Sequence, residues 1–290
     1  MRIDRRAFVL GTAAVAACTG YPSERRRARA DFRSVQQSLG PGGRLGVAAL
    51  DTGSNRWLVH DEHSRYAMAS TFKVALAGAI LAQAEHGALA LDQEVPFGEA
   101  DLLDYAPVVR ANLALGRLPV ERLCAAAVEV SDNSAANLLL ARIGGPVGLT
   151  RFIRGCGDPV TRLDRTEPTL NTNLPGDPRD TTSPAAMVGL LRALLFDGPL
   201  TSASRARLAG WMEGAATGRA RLRAGLPSTW RVGDKTGNGA NGAANDIAFA
   251  IPPSRRPILI ACYQSGGNAD AAARNAVHAA VARAVAAAFL

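Results

Sequence analysis

The stretch S-T-F-K-V-A-L-A-G-A-I-L-A-Q-A-E-H, residues 70–86, is where the chain changes character. Its apolar residues recur at helical spacing and Gly87 follows as a stop, so one long apolar helix is expected. Upstream lie Arg44–Asp51 and Arg56–His60, two apolar runs joined by the turn Thr52-Gly53-Ser54-Asn55, which read as strands. A helical pattern over 30–39 precedes them and stops at Gly40-Pro41. Downstream, helical spacing persists to about residue 196, most clearly over 118–130 and 134–143. Strand character returns at 230–236, 246–251 and 257–263, separated by Gly- and Pro-bearing turns, and an alanine-rich helix over 270–289 closes the chain. Strands and a helix at both ends thus enclose a helical middle. The economical arrangement is one sheet domain built from both termini with an all-helical insertion.

Of the 290 residues 48% are hydrophobic, enough for an ample core. The net charge of +8 is concentrated in residues 1–30, where seven arginines face only Asp4 and Glu24, and the remainder carries +3. That leaves no electrostatic footprint for nucleic acid. Arg5-Arg6, followed by Phe8 and an apolar run to Ala17, reads as an export signal over residues 1–18 and resembles the twin-arginine type. The run is too short to span a bilayer. Val15-Ala16-Ala17-Cys18 resembles a lipobox, and a lipid on Cys18 is the membrane contact expected. Residues 19–30 read as a polar tether. Cys124, Cys156 and Cys262 show no C-x-x-C spacing, and His60, His63, His86 and His278 form no metal-ligand pattern. Neither a catalytic metal nor another cofactor is expected, and these cysteines read as small buried hydrophobes.

Only two of the 33 basic residues are lysine, Lys73 and Lys235. Arginine keeps its proton in a protein, whereas lysine gives it up when buried or crowded. Ser70 and Lys73 are an i, i+3 pair on one helix face, so the ammonium reaches the hydroxyl. The helix N-terminus favours developing negative charge, and an apolar setting lets the lysine accept the serine proton. Alone, S-x-x-K fits equally an N-cap serine with a snorkelling lysine.

Three further elements follow. Ser131-Asp132-Asn133 sits between two helical patterns, where a hydroxyl and an amide relay a proton and hold a carbonyl, or simply cap a helix. Lys235-Thr236-Gly237 ends a strand pattern; ammonium and hydroxyl suit a carboxylate, and glycine lets a ligand approach the backbone. In R-L-D-R-T-E-P-T-L-N, residues 162–171, Glu167 and Asn171 flank a proline-constrained loop and can hold a water between base and amide. The G-x-G-x-x-G over 237–242 is followed by another strand pattern, so it reads as a hairpin turn rather than a dinucleotide fingerprint. No G-x-S-x-G surrounds Ser70, which argues against an α/β-hydrolase.

S-x-x-K, S-D-N and K-T-G in that order, with a glutamate before the last, form the set used by class A β-lactamases and penicillin-binding proteins. From about residue 31 to 290 the chain resembles a class A serine β-lactamase. The resemblance includes E-P-x-L-N over 167–171, and Arg165 and Asp180 at the positions that clamp the family's Ω-loop. It implies an α+β fold: an antiparallel five-stranded sheet with flanking helices from residues 31–66 and 217–290, an all-helical domain from 67–216, and an active site between them. It implies that Ser70 attacks a β-lactam carbonyl, with the backbone N–H groups of Ser70 and Asn238 as the oxyanion hole. The acylation base is Lys73, or Glu167 acting through water. Ser131 passes a proton to the lactam nitrogen, and Lys235, Thr236 and Arg221 bind the substrate carboxylate beside Gly237. Asn133 holds the acyl side-chain amide, Tyr105 walls the cleft, and Glu167 with Asn171 activates the deacylating water. The expected partner is a small-molecule β-lactam, met by a monomer exported to the periplasm or cell envelope, or secreted. A penicillin-binding peptidase or a non-hydrolytic β-lactam sensor shares Ser70, Lys73, Ser131 and Lys235 but lacks the Glu167 water site. Three departures stand out. Ala77 opposite Cys124 removes the disulfide common in the family, Ala69 and Gly239 exclude a second one, and Thr169 replaces a frequent acidic residue.

Overall fold

The computed structural model describes residues 27–29 and 31–290. The export signal and Cys18 lie outside the described residues. In chain order the elements are β1 (Arg27–Arg29), α1 (Arg33–Gln37), β2 (Arg44–Asp51), β3 (Arg56–His60) and β4 (Tyr66–Ala67). A 3₁₀ turn, Ala69–Thr71, leads into α2 (Phe72–Glu85), then β5 (Glu94–Pro96), α3 (Pro107–Ala111), β6 (Arg117–Pro119), α4 (Val120–Glu129), α5 (Asn133–Arg142) and α6 (Gly145–Gly155). After a long loop come β7 (Thr181–Thr182), α7 (Pro184–Arg192), α8 (Ser202–Glu213) and α9 (Leu222–Gly225). β8 (Arg231–Asn238), β9 (Ala244–Ile251), β10 (Ile258–Ser265) and α10 (Ala271–Phe289) complete the chain.

The five long strands form an antiparallel sheet in the order β3-β2-β10-β9-β8, as the α+β reading requires. At its outer edge β1 adds a short parallel strand, with Arg27 opposite Trp57. These three residues fall within the stretch expected to be a tether. Their backbone pairs with the otherwise free edge of β3. β2 and β3 have the bounds expected from sequence. α1 is shorter than the 30–39 pattern, and β8 runs two residues past Thr236, because β9 starts early enough to pair Asn238 with Ala244.

Alternation along the strands sorts the sheet's two faces. Val47, Ala49, Ala248, Ala250, Ile258 and Ile260 pack on α9 and α10, together with Leu222, Val281 and Val285. Ala48, Leu50, Ile247, Phe249, Leu259 and Tyr263 face the helical body built around α2. All ten residues from Phe72 to Leu81 are buried, as a helix apolar all round must be. That burial takes Lys73 with it. On β8, Gly233, Lys235 and Gly237 share the face turned to the helical body, since a Cβ on Gly233 or Gly237 would meet Met212 or Met68. The second lysine is thereby carried towards the first.

Candidate active site

Ser70 stands at the mouth of α2 because the turn before it is held in an unusual shape. Ala69 has φ +44°, a left-handed conformation that costs a residue with a Cβ about 1–3 kcal/mol unless its surroundings impose it. They do: Asn245 Nδ2 donates to the carbonyls of Ala67 (2.9 Å) and Met68 (3.1 Å), and Thr71 Oγ1 donates to Met68 O at 2.9 Å. Ser70 Oγ then donates to Glu167 Oε1 at 3.2 Å.

The i, i+3 spacing predicts a direct reach from Lys73 to Ser70, but the ammonium goes elsewhere. Lys73 Nζ donates to Ser131 O (2.9 Å), Ser131 Oγ (3.3 Å) and Asn133 Oδ1 (2.6 Å), and lies 3.0 Å from Glu167 Oε1. Glu167 thus joins the serine and the lysine through one oxygen. Burial pulls Lys73 below the ordinary lysine range, and the Glu167 carboxylate pulls the other way.

The two readings of S-D-N divide between its members. Asp132 is the cap: Oδ1 accepts from Ala135 N at 2.9 Å, while Oδ2 ties down α3 through Val108 N (2.8 Å) and Val109 N (3.0 Å). With Asp132 so occupied, Ser131 (φ +62°) and Asn133 are free to meet Lys73. Ser131 Oγ also accepts from Lys235 Nζ at 3.0 Å, so one hydroxyl bridges the two lysines. Tyr105 is half exposed, and its carbonyl accepts from Asn133 N at 3.0 Å, which sets it beside the motif.

Glu167 is presented by a loop that closes on itself. Asp180, fully buried, accepts from Asp164 N (2.7 Å), Arg165 N (2.9 Å) and Arg165 Nε (2.6 Å). Buried Leu170 pins the loop to the core. Asn171 Nδ2 donates to Glu167 Oε2 at 2.6 Å, and Asn171 Oδ1 is buried with no partner among the described residues, an acceptor left over beside the carboxylate. Asn137 completes the mounting: its amide donates to Glu167 O (2.9 Å) and accepts from Glu167 N (3.0 Å).

The opposite wall is β8, the edge strand of the sheet. Gly237 is needed there, since a Cβ would sit 2.7 Å from Met68 O and 3.2 Å from Ser70 N. Lys235 is fully buried, its pKa pushed well down by burial and by repulsion from Lys73. Thr236 Oγ1 lies 2.7 Å from Thr217 Oγ1. Behind it, Arg221 Nη2 donates to Asn238 Oδ1.

The structure therefore brings Ser70, Lys73, Ser131, Asn133, Glu167, Asn171 and Lys235 into one connected group, with Thr236, Gly237, Asn238, Arg221 and Tyr105 around it. The sequence patterns missed Asn137, Thr217, Asn245 and Asn275, the last of which accepts from Arg221 Nε at 2.9 Å. Only Asn137 left a signal: it lies four residues after Asn133, on the same face of α5.

A sequence profile described as the β-lactamase enzyme family matches residues 28–289. The β-lactamase CTX-M-8 of Citrobacter amalonaticus is 44% identical over 261 residues, covering 88% of this chain and 89% of that protein. The β-lactamase AST-1 of Nocardia asteroides is 44% identical over 256 residues, covering 88% and 82%. Among solved structures, a class A β-lactamase of the last common ancestor of Gram-negative bacteria superposes with a TM-score of 0.86 at 52% identity, covering 89% of this chain and 98% of that one. The chain belongs to the β-lactamase enzyme family. Its fold and its serine-centred site place it among the class A members.

Proposed function

We propose that the protein opens the amide of a β-lactam ring through an acyl-enzyme on Ser70 and then releases the acyl group with a water directed by Glu167. The observation that carries this is Glu167 Oε1, 3.2 Å from Ser70 Oγ and 3.0 Å from Lys73 Nζ, with Asn171 on its other oxygen. A carboxylate so placed can take the serine proton and afterwards that of a water attacking the same carbon.

The steps follow from the contacts. Ser70 Oγ attacks the lactam carbonyl and its proton passes to Glu167 or, along the same hydrogen-bonded group, to Lys73. The negative charge that develops on the carbonyl oxygen is met by the N–H groups of Ser70 and Asn238. Ser131 Oγ already accepts from both lysines, so its own proton is directed to the leaving lactam nitrogen. Lys235 and Thr236, with Arg221 behind them, bind the ring carboxylate, while Asn133 and Tyr105 meet the acyl side chain. Hydrolysis rather than a persistent adduct is favoured by the intact Glu167–Asn171 pair, which a penicillin-binding peptidase or a sensor would not need.

We further infer a division into a sheet domain, 31–66 with 217–290, and a helical domain, 67–216, with the site at their junction. Export, with a lipid on Cys18, accords with the N-terminal sequence, and a monomer is the assembly we infer. Purified protein beginning at residue 31 tests the activity: benzylpenicillin is consumed over many turnovers, and Ser70→Ala abolishes this. No consumption by the parent protein contradicts the proposal.

A further inference from the structure

Between the outer limb of the loop over 162–180 and the start of β2 lies a cavity of about 410 Å³, a size that suits a small ligand. Among the described residues its walls carry four arginines, Arg44, Arg65, Arg165 and Arg179, against one carboxylate, Asp177. Thr172 and Ser265 add hydroxyls. None of the connected residues around Ser70 lines it.

The four guanidinium groups are held with different firmness. Arg165 is committed to the loop: its Nε lies 2.6 Å from fully buried Asp180, and opening that pair would strand a buried charge. Arg44 lies 3.2 Å from Asp61 and Arg179 2.8 Å from Asp177, and both arginine side chains are about half exposed. Exposed pairs contribute little, so either arginine can turn to a better acceptor. Arg65 has no carboxylate partner among the described residues. Its Nη1 donates to two neutral oxygens, Val160 O (3.1 Å) and Thr181 Oγ1 (2.9 Å). Three of the four arginines are thus matched by Asp61, Asp177 and Asp180, and the charge of Arg65 is left over.

A surplus of forked donors selects an oxyanion, whose charge-assisted bonds to guanidinium are roughly twice as strong as neutral ones. Arg44 and Arg65 come from the strands and their approaches, Arg165 and Arg179 from the loop. Donors arriving from separate segments suit an anion whose oxygens point several ways, as those of a phosphate group do and those of a single planar carboxylate do not.

We propose that this cavity binds a phosphate group, free or carried by a small ester, on Arg65 with Arg44 and Arg179. The bound anion ties the outer limb of the loop to β2 and to the segment before β4, and so braces the loop that presents Glu167. A ligand that binds only the folded chain also raises its stability by mass action.

The full chain, isotope-labelled in its arginines, is titrated with inorganic phosphate and with glycerol phosphate, sodium chloride holding the ionic strength constant. The side-chain N–H resonance of Arg65, identified by its loss in Arg65→Gln, is expected to shift and saturate in the millimolar range, and Tm to rise over the same range. Glycerol phosphate binding at least as well as phosphate assigns the site to an ester; phosphate binding alone assigns it to the free ion; binding of neither overturns it. Arg65→Gln is expected to weaken binding by about tenfold or more, the size of one charge-assisted bond. Arg179→Gln weakens it too, and carries the comparison if Arg65→Gln does not fold. Arg151→Gln, at an exposed arginine outside the cavity, leaves it within about twofold. A Tm rise that survives Arg65→Gln and Arg179→Gln unchanged places the anion elsewhere, for instance on Lys235, and overturns the cavity. Shifts that chloride reproduces, or an equal loss in Arg151→Gln, overturn it as well.

Discussion

Lys73 Nζ and Glu167 Oε1 lie 3.0 Å apart with neither side chain exposed, so the first turn of α2 and the loop over 162–180 meet through a buried ion pair. Removing one partner of such a pair leaves an uncompensated charge. Replacing Lys73 by arginine leaves a charge, yet it installs a group that cannot accept a proton and a fork too wide for the space among Ser131, Asn133 and Glu167. Lys73→Arg is expected to remain folded and to lose about 10²–10⁴ in acylation rate, read by stopped-flow mixing with a chromogenic cephalosporin. A loss below tenfold would mean that Lys73 has no part in moving the proton.

Gly237, in β8, lets that strand come close to the turn that carries Ser70. A Cβ there would press on Met68 O and approach Ser70 N, moving one oxyanion donor relative to the other. Gly237→Ala is expected to lower kcat by about 10²–10³, the effect of losing one such donor, and to lower thermal stability as the backbone shifts to relieve the contact. Unchanged kcat would place the oxyanion site elsewhere.

Arg165 and Asp180 hold the loop that presents Glu167. Arg165→Ala leaves fully buried Asp180 without its cation, and a stability loss of about 3–5 kcal/mol is expected in urea titration. Because the loop carries Glu167 and Asn171, deacylation should slow more than acylation, visible as acyl-enzyme building up in the steady state. Arg165→Lys, which keeps the charge, should recover part of both.

His278 is fully buried; its Nε2 bonds Ala244 O at 3.1 Å, and Nδ1 has no partner among the described residues. Protonation would add an unpaired charge near Arg221, and burial first, then Arg221, pulls the imidazole well below its ordinary value. The folded pKa lies below the unfolded one, so this contribution to stability is complete above about pH 6.5 and is lost as pH falls through the folded value. His278→Gln should therefore flatten the acid side of a Tm–pH curve recorded from about pH 8 down to pH 4. Parallel curves for the two proteins would exclude His278 as a cause of acid sensitivity.

How much of this was legible beforehand depends on whether a feature is local. β2 and β3 have the bounds their patterns predict because apolar runs and a four-residue turn mark both ends. The motif residues were legible because each element of the set is contiguous and the two lysines stand out against arginine. What escaped is non-local. Nothing near Thr217 or Asn275 in sequence announces the hydroxyl at Thr236 or the guanidinium at Arg221 that each one meets. The strain at Ala69 has its cause in Asn245, far along the chain. The i, i+3 geometry correctly put Ser70 and Lys73 on one face, yet it could not foresee that Ser131, Asn133 and Glu167 compete for the ammonium. Two residues of β8 past Thr236 were hidden by the glycines that follow, and they include Asn238.

The central claim is that Glu167 empties the acyl-enzyme that Ser70 forms. Intact-protein mass spectrometry of Glu167→Ala after mixing with excess benzylpenicillin tests it most directly. One stoichiometric adduct on Ser70 that persists long after the parent protein has consumed the drug is the predicted result. Free Glu167→Ala protein recovered at the parent's rate would contradict the account and assign deacylation to another group.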